Sequence, residues 1–565
     1  DLFAPYATGV PKVTTVISEE TTDGVKVTKL RFASAEGSKE GEVKDCEIYA
    51  IIARPENTAG QKLPGMLVCH GGGGMAGEGS PIAWAKLGYV VLAVDSIHGE
   101  DTRVALSSVA AMTWSNLRAL ELLRRRDDVD PTRIGCTGAS GGGQQTYYLT
   151  ALDCGLAAAA PAVMVCHLAE ILDADHVHCR CNHTPHLARV VDVPEMSASF
   201  APRPQFFLSV TGDWTHAFPR EGYPEIEALY RSLGAGPAVA GQQWDRDHDY
   251  DRPMRNAAYA FFERWLGGVE EPGLAAEPEG LPVEPVDALR ALDRDDARQD
   301  PVAIAREFRA RLAVDVVGDE SDPGTVRERL SALFGSGVPE VEVRLEDVDA
   351  AGIRRGRIRT SGQPDIPLLA LRGRGTGAAV CISDRGMMSM WFERAPLVSA
   401  LRERFETVWL ADIRYVGELD VGAGFRGLHG RFFGQDEGQV GVLDVRRLAA
   451  AAPGDARAAV VALGQCGAVA LLAAGVDARI GAVVAPELGP TWREADRRPQ
   501  LSRILLHGDL PEAVLAAEHT FLCLGGSPAH PSWDAVDRAC AGRLSRTAAA
   551  ISDDELVSLI ASLPR

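Results

Sequence analysis

The sequence predicts two doubly wound α/β sheets, mostly parallel, arranged in tandem. The first observation is an alternation of short apolar runs with longer amphipathic segments, which occurs in both halves of the 565 residues and is typical of sheets covered by helices on both faces. The second is length, since one hydrophobic core rarely serves a chain of this size. The third is residues 270–285, which are rich in Pro, Glu and Ala without apolar periodicity and indicate a linker.

Alternating apolar residues over 13–55 predict antiparallel strands at one edge of the first sheet. Beyond them, apolar runs of strand length alternate with helical patterns. The predicted strands span residues 65–69, 89–95, 133–137, 158–164, 205–211 and 239–244. The predicted helices span residues 107–126, 143–152, 223–233 and 254–266. Since such sheets bind ligands outside the carboxyl ends of their strands, we expect functional side chains just after these strands.

The second half of the chain repeats this order of elements. A helical stretch at 302–333 and alternating residues at 341–360 precede the predicted strands 378–382, 407–411, 458–463, 480–485 and 520–524. This order predicts an internal duplication of the fold, without a residue-by-residue repeat. The expected organisation is a first domain over 1–268, a linker over 269–285 and a second domain over 286–565.

Charge and composition exclude several classes of protein. With 58 Lys and Arg against 78 Asp and Glu, the net charge of −20 argues against a nucleic-acid partner. No apolar run approaches the ~20 residues of a membrane helix. The eleven cysteines do not suggest a disulfide scaffold, because several lie in apolar runs typical of buried thiols. The sequence starts at Asp1 without a basic and apolar leader, so secretion after signal-peptide removal stays open, as does the oligomeric state.

The sharpest motif is G-x-S-x-G, from Gly138 through Ser140 to Gly142, between an apolar strand and a helical pattern. A serine hydroxyl is a poor nucleophile unless it is exposed and paired with a base, and a tight strand-to-helix turn exposes it. The small residues allow strand and helix backbones to approach closely. A phosphate-binding turn is the alternative, but the spacing fits neither G-x-G-x-x-G nor the P-loop.

A glycine-rich loop, residues 71–74, follows His70 and the predicted strand 65–69. Residues without side chains let backbone N–H groups point inward, where they can stabilise a developing oxyanion. The candidate donors are Gly71 and Gly72, with Gly72 first among the loop glycines, and Gly141 after the serine. A merely flexible loop is the alternative.

A carboxylate and a histidine follow the serine in order. Asp213 ends the predicted strand 205–211, and His248 follows the next helix and strand. An aspartate in this place would hold the histidine tautomer and stabilise the imidazolium. Asp173 or Asp175 is the alternative acid, one strand earlier. The order Ser140, Asp213, His248 is that of the α/β-hydrolases.

Residues 60–268, a little over a third of the chain, resemble an α/β-hydrolase of the dienelactone hydrolase and acetyl xylan esterase-like group. The motifs are G-A-S-G-G-G at 138–143, T-G-D-W-T at 211–215 and H-x-Y-x-x-P-M-R at 248–255. The resemblance implies a serine esterase that needs no metal or cofactor and cleaves small-molecule or oligosaccharide esters, often acyl groups on sugars.

Residues 166–203 lie where this fold inserts a lid, and loops over the strand ends carry specificity. This predicted lid holds four His and two Cys within 175–186. We interpret Arg180, His183 and His186 as residues that hydrogen-bond a polar substrate. Zinc binding is the alternative, since imidazole and thiolate are the usual zinc ligands, but the spacing matches no standard zinc motif.

Three further residues are candidates for substrate contact because they follow predicted strands. Trp214 and His216 come directly after Asp213, and an indole suits the face of a sugar ring. His98 follows the predicted strand 89–95. The alternatives to substrate contact are that Trp214 packs beneath its own loop and that His98 makes only local hydrogen bonds.

The second half carries the hydrolase pattern without its chemistry. G-x-C-x-A at 464–468 puts Cys466 at the nucleophile position, where a thiol needs a base to ionise near neutral pH. The predicted strand 520–524 runs into Gly525, Gly526 and Ser527 with no carboxylate, and the last histidine, His530, follows too soon to be the base. We therefore expect a degenerate, catalytically silent copy of the fold.

The expected function is a serine esterase that works through an acyl-enzyme. Alternatives on the same triad are a uronic methyl or glucuronoyl esterase, a lactonase and a peptidase. A non-catalytic carbohydrate-binding protein is the alternative of a different class. In such a protein, sequence drift should have removed at least one of Ser140, Asp213 and His248, and all three are present in order.

Overall fold

The computed structural model describes most of both halves of the chain. The described residues are 13–33, 47–58, 60–73, 75–95, 107–173, 182–268, 277, 286–291, 322–337, 340–349, 352–419, 435–453, 457–489, 501, 504, 509–517, 520–526, 533, 536–537, 539–540, 542–547 and 549–563. They fall into two compact units, one up to Ala291 and one from Asp322 onward.

The first unit contains a nine-stranded sheet. Its strands are β1 (Val13–Thr22), β2 (Val25–Ala33), β3 (Glu47–Pro55), β4 (Leu63–Cys69), β5 (Val90–Asp95), β6 (Val129–Ala139), β7 (Ala158–Ala162), β8 (Gln205–Gly212) and β9 (Val239–Asp247). They lie in the order β1-β2-β3-β5-β4-β6-β7-β8-β9. The pairs from β1 to β5 are antiparallel, and the pairs from β5 onward are parallel.

Seven α-helices are described in the first unit: α1 (Pro81–Lys86), α2 (Ser108–Arg124), α3 (Gly141–Leu152), α4 (Leu168–Asp173), α5 (Val193–Ala198), α6 (Gly222–Ser232) and α7 (Arg252–Phe262). Side chains cap two of the long helices: Ser107 accepts from the Ala110 N–H at the start of α2, and Asp251 accepts from the Met254 N–H at the start of α7. Helix α3 begins at Gly141, two residues before the prediction, because the glycines continue the turn directly into the helix.

The second unit repeats the arrangement of the first. Its strands are β10 (Glu342–Leu345), β11 (Ile353–Thr360), β12 (Gln363–Arg372), β13 (Ala378–Ser383), β14 (Thr407–Ala411), β15 (Ala458–Leu463), β16 (Ile480–Ala485), β17 (Phe521–Leu524) and β18 (Leu544–Arg546). Their order, β10-β11-β12-β14-β13-β15-β16-β17-β18, matches that of the first sheet strand by strand. The predicted tandem of doubly wound α/β sheets is confirmed.

The described helices of the second unit are α8 (Pro323–Phe334), α9 (Met387–Glu393), α10 (Ala395–Arg404), α11 (Glu437–Ala451), α12 (Cys466–Val476), α13 (Leu510–Ala516) and α14 (Asp553–Ser562). Of the predicted helix at 302–333, the part before residue 322 lies outside the described residues. Within the described chain, no helix combines the length and the apolar composition needed to cross a bilayer.

Both faces of the first sheet are buried, which explains the unbroken apolar runs in its central strands. On β4, Met66 and Val68 face one hydrophobic core, and Leu67 and Cys69 face the other. The first core also contains Trp84 of α1, whose ring meets Tyr259 of α7 edge to face with centroids 4.4 Å apart. The sheet is therefore a rigid support for the loops at its strand ends.

The first unit extends beyond the predicted domain boundary. Glu277, inside the predicted linker, pairs with Arg255 of α7. The backbone N–H of Ala291 donates to Asp95 Oδ2 at 2.6 Å, and Ala291 is buried in the core of this unit. Residues 286–291 thus belong to the first unit, whereas the sequence placed the start of the second domain at residue 286.

Candidate active site

Ser140 occupies the turn between β6 and α3 with a strained backbone. Its φ of 56° and ψ of −121° lie outside the regions that ordinary residues adopt. The turn is held on both sides, because the Ser140 N–H donates to the Ala162 carbonyl at 3.0 Å and the Ser140 carbonyl accepts from the Gln144 N–H at 3.0 Å. Such strain persists only where the surrounding structure enforces it. The result is a partly exposed serine at the carboxyl edge of the sheet.

Glycine is required beside this serine because β4 passes close to the turn. A Cβ atom on Gly138 would lie 2.5 Å from the Cys69 carbonyl oxygen, and one on Gly142 would overlap the same oxygen. A Cβ on Gly143 would overlap the carbonyl of Ala162. The G-x-S-x-G pattern therefore reflects the tight packing of the elbow against its neighbouring strands.

Asp213 and His248 meet at the ends of β8 and β9. His248 Nδ1 lies 2.7 Å from Asp213 Oδ2. The other carboxylate oxygen, Oδ1, accepts hydrogen bonds from the Thr215 N–H and hydroxyl, both at 2.6 Å. The side chain of Asp213 is fully buried and that of His248 is 32% exposed. A proton held on Nδ1 by the carboxylate leaves Nε2 as the basic nitrogen.

Asp213, the first of the three acids that the sequence left open, contacts His248. Asp175 and the side chain of Asp173 lie outside the described residues. Within the described chain the Ser140 hydroxyl makes no hydrogen bond to a protein group, and His248 makes one, to Asp213. Catalytic hydrogen bonds are often long in unliganded proteins and shorten when substrate binds.

The candidate oxyanion donors lie next to one another. Gly71 and Gly72 follow β4, and Gly141 opens α3, where a backbone N–H has no acceptor within its own helix. A Cβ atom on Gly141 would lie 3.4 Å from the Gly71 carbonyl carbon and 3.7 Å from the Gly72 nitrogen. The loop after β4 and the start of α3 therefore form one wall of the site.

The described part of the lid packs on α3. The Asn182 carbonyl accepts from Gln144 at 3.4 Å, and the Tyr148 hydroxyl donates to Thr184 at 2.7 Å. His183 in this segment is completely buried, so it has no surface to offer a ligand in this conformation. His186 is half-buried and has a φ of 65°.

Two of the expected substrate contacts, His98 and Arg180, lie outside the described residues, as do His176, His178, Cys179 and Cys181 of the predicted lid. In the part of the chain that is described, no group of three or more His, Cys, Asp or Glu side chains is arranged to hold a metal ion.

A half-buried contact between His167 and Asp192 links two parts of the lid segment. His167 Nδ1 lies 3.0 Å from Asp192 Oδ2, and Glu225 Oε1 lies 3.6 Å from His167 Nε2. Burial lowers the pKa of His167, but the two carboxylates outweigh this effect and raise that pKa above its ordinary value. Asp192 also caps α5, so one carboxylate connects the start of the lid segment with this helix.

Trp214 and His216 flank Asp213 in different ways. The Trp214 ring packs against the His248 ring with centroids 4.5 Å apart, and only 8% of the tryptophan is exposed. Trp214 was expected to contact substrate, but the indole is buried and packs against the imidazole of His248. His216 is exposed, and its Nδ1 lies 2.9 Å from the Asp213 carbonyl oxygen.

Sequence reasoning missed Thr215, although the T-G-D-W-T motif contains it. A threonine two residues after an aspartate can donate both its N–H and its hydroxyl to that carboxylate, which is a recognisable local pattern. It also missed Asn116 and Gln145, buried polar residues on the packed faces of α2 and α3. Their signal is a polar residue inside an otherwise apolar helix face.

In the second unit, the nucleophile position belongs to Gly464 and not to Cys466. Strand pairing places Cys69 opposite Gly138 in the first unit and Ile382 opposite Ala462 in the second. Two residues further on lie Ser140 and Gly464, whose φ values are 56° and 59°. The placement of Cys466 at the nucleophile position does not fit this turn, because the positive φ lies two residues earlier and Cys466 is already the first residue of α12.

Cys466 is the first residue of α12 and is 3% exposed. Burial, together with the charges of Asp384 and Asp412, raises the pKa of the Cys466 thiol well above its ordinary value. A buried thiol of this kind is a poor nucleophile.

Asp384 occupies the position that Gly71 has in the first unit, two residues after the paired Ile382. Its Oδ2 accepts a hydrogen bond from the Gln465 N–H at 2.9 Å. Gln465 directly follows Gly464, as Gly141 follows Ser140. The donor that corresponds to the Gly141 N–H is therefore taken by a carboxylate of the protein itself.

Within the described residues, no carboxylate directly follows strand β17 of the second unit. Strand β17 ends at Leu524 and is followed by Gly525 and by Gly526 with a φ of 66°. Ser527 and His530 lie outside the described residues, and no histidine follows residue 530 in the sequence.

The comparisons with known proteins concern mainly the first unit. No family model matches the chain. A protein of Bacillus subtilis named "Putative hydrolase YtaP" is 28% identical over 259 residues, which are 38% of this chain and 83% of that protein.

Among solved structures, a methylesterase is 23% identical with a TM-score of 0.43, covering 56% of this chain and 72% of its own. A "putative acetyl xylan esterase" from Bacteroides fragilis is 15% identical with a TM-score of 0.35, covering 54% and 83%. A glucuronoyl esterase from Solibacter usitatus is 14% identical with a TM-score of 0.34, covering 46% and 86%. By their names, these similar proteins are hydrolases and esterases.

Proposed function

We propose that the first unit is a serine carboxylic-ester hydrolase that uses Ser140, His248 and Asp213. The observation that carries the proposal is the 2.7 Å contact between His248 and the fully buried Asp213, at the same sheet edge as the strained Ser140. A buried carboxylate is costly unless it is fully hydrogen-bonded, and here it orients an imidazole that is itself accessible.

In the proposed mechanism, His248 Nε2 takes the proton of the Ser140 hydroxyl as the oxygen attacks the ester carbonyl. Asp213 stabilises the imidazolium that forms, and backbone N–H groups of the 71–72 loop and Gly141 stabilise the oxyanion. The imidazolium then gives its proton to the leaving alcohol, and the acyl-enzyme remains. Water, deprotonated by His248, attacks this intermediate, and the proton returns to Ser140 as the acid departs. No metal or cofactor takes part.

As substrate we propose an acylated, for example acetylated, carbohydrate or a related polar ester. Support comes from the three motifs shared with acetyl xylan esterase-like enzymes and from the names of the similar proteins. Uronic methyl and glucuronoyl esters, lactones and peptides are the other acyl substrates for the same triad. Parallel assays with these classes at equal enzyme concentration distinguish them.

We propose further that the second unit is catalytically silent. Gly464 provides no nucleophile, the Gln465 N–H donates to Asp384, and the two residues that directly follow β17, Gly525 and Gly526, carry no carboxylate. Drift after a duplication would produce such losses, while the first unit has kept all three residues.

The test of the proposed function is hydrolysis of an activated acetyl ester by the intact chain and by Ser140→Ala. Loss of the nucleophile is expected to lower kcat by about 10³-fold or more. Ser232→Ala on α6, whose hydroxyl only bonds the Leu229 carbonyl, is the matched control and should keep its rate. Full activity in Ser140→Ala would reject Ser140 as nucleophile. No turnover by the intact chain on any ester would favour a carbohydrate-binding protein.

A further inference from the structure

A buried amide on α3 connects the two backbone segments of the proposed oxyanion site. Gln145 is completely buried, and its Nε2 donates to the His70 carbonyl at 2.9 Å and to the Gly141 carbonyl at 3.0 Å. Its Oε1 accepts from Asn116 Nδ2 on α2 at 2.6 Å. Both amide protons of Gln145 are therefore used, and Asn116 sets which way the amide faces.

The His70 carbonyl belongs to the same peptide unit as the Gly71 N–H. In a trans peptide these two groups point in opposite directions. A hydrogen bond that draws the carbonyl toward Gln145 therefore directs the Gly71 N–H away from α3. The Ser140 carbonyl is held in the same way by the Gln144 N–H, which directs the Gly141 N–H out of the start of the helix.

We propose that Gln145, oriented by Asn116, is a positioning residue for the oxyanion site, because it holds the carbonyls of His70 and Gly141. The inference rests on the proposed esterase function. The peptide that carries the Gly72 N–H is held as well, because the Gly71 carbonyl oxygen lies 2.8 Å from His70 Nδ1, so both loop glycines remain candidate donors. Preorganised donors are effective because they need no reorientation when the charge develops.

The second unit provides an internal comparison. The residue five positions after the turn is Gln145 in the first unit and Val469 in the second, counted from Ser140 and Gly464. Val469 is 2% exposed, so this helix position packs well with an apolar side chain. The amide occurs in the unit whose oxyanion site is intact and is missing where Asp384 fills that site. Folding alone therefore does not require glutamine at this place.

The test is Gln145→Met, which keeps the length of the side chain and removes both hydrogen bonds to the carbonyls. We expect kcat for an activated ester to fall by about 10- to 100-fold, less than the about 10²- to 10³-fold known for loss of a donor itself. KM and the pH profile of kcat/KM should stay unchanged, because His248 and Asp213 are not touched. Affinity for a boronic acid that mimics the tetrahedral intermediate should fall by the same factor as kcat/KM.

Gln205→Met is the matched control, since Gln205 is also completely buried but lies at the amino end of β8, away from the site. It should keep kcat even where stability falls. Asn116→Ala should show a smaller loss than Gln145→Met, and the double variant should equal Gln145→Met alone, because Asn116 acts through Gln145.

Unchanged kcat in folded Gln145→Met, or additive losses in the double variant, would overturn the inference. If Gln145→Met does not fold, Asn116→Ala alone tests the inference. Unchanged kcat and unchanged boronate affinity in Asn116→Ala would then overturn it. Ser140→Ala is measured in the same assay to distinguish failure of this inference from failure of the proposed function. An active Ser140→Ala would contradict the esterase mechanism itself.

Discussion

The Asp384 carboxylate accepts a hydrogen bond from the Gln465 N–H at 2.9 Å, at the place where the first unit has Gly71 and Gly141. A carboxylate oxygen carries the kind of charge that a tetrahedral oxyanion would bring. In the second unit, the N–H group that corresponds to an oxyanion donor, that of Gln465, is thus already bonded to Asp384. The turn residue of this unit, Gly464, has no side chain. The same fold is present twice, and the first copy is the one that we propose to catalyse acyl transfer.

This relationship predicts that Cys466→Ala leaves ester hydrolysis unchanged, within about twofold. The thiol is buried in α12 and its pKa is raised, so little thiolate is present near neutral pH. Alkylation of single thiols, followed by mass spectrometry, should label Cys466 far more slowly than the exposed Cys154. A tenfold loss of activity in Cys466→Ala would assign catalysis to the second unit.

Asp213→Asn should lower kcat by about 10³- to 10⁴-fold with little change in folding. The Thr215 N–H and hydroxyl both donate to Oδ1, so the amide oxygen stays there and the NH2 group faces His248. His248 Nδ1 must then accept, which moves its proton to Nε2 and removes the basic nitrogen. Asp245→Asn, an exposed carboxylate bonded to the Thr211 hydroxyl, is the control and should remain active.

Gly142→Ala and Gly72→Ala should differ sharply in stability. A Cβ atom on Gly142 overlaps the Cys69 carbonyl oxygen, so β4 or the turn must shift, at a cost of about 1–3 kcal/mol in the free energy of unfolding. No atom lies within 4 Å of a Cβ on Gly72, and a change within about 0.5 kcal/mol is expected there. Urea unfolding of both variants measures the difference, and equal stabilities would contradict the packing described for the turn.

Glu277→Gln should destabilise the first unit by about 2 kcal/mol at pH 7, the scale of hydrogen bonds to a charged group. Burial opposes the charge of Glu277, but Arg255 and the Tyr259 hydroxyl outweigh it and lower the pKa of this carboxyl below its ordinary value. The stabilisation is therefore present above the ordinary pKa of about 4.3 and is lost as pH falls through the lowered value.

Urea unfolding at pH 7 and at pH 3 tests this dependence, since the difference between wild type and Glu277→Gln should shrink at the lower pH. Glu121→Gln, which removes a surface pair with Arg125, is the control and should change stability by less than about 0.5 kcal/mol. A difference that is constant with pH would show that the Glu277 charge does not matter.

A chelator should leave ester hydrolysis unchanged, because the proposed mechanism places no step on a metal. Activity is measured after dialysis against EDTA and again after zinc is added back. Loss of activity that zinc restores would instead support the alternative that His and Cys side chains within 175–186 bind zinc.

The sequence was sufficient for the central strands and for the order of the site residues, whereas β12 (Gln363–Arg372) and β18 (Leu544–Arg546) were not predicted. Central strands such as Leu63–Cys69 and Ala458–Leu463 are unbroken apolar runs, which parallel strands with two buried faces require. Ser140, Asp213 and His248 each follow such a strand, so their common sheet edge could be predicted. Cys466 was misplaced because the G-x-C-x-A pattern cannot tell which residue adopts the positive φ.

By itself, then, the sequence determined the tandem α/β fold and the residue types at the strand ends, because hydrophobic periodicity and glycine requirements are local properties of the chain. Only the tertiary structure decided that Glu277 and residues 286–291 belong to the first unit, that Trp214 supports His248, and that Gln145 joins the His70 and Gly141 carbonyls. These relationships join residues far apart in the chain, and they depend on distances and hydrogen-bond directions that no local pattern contains.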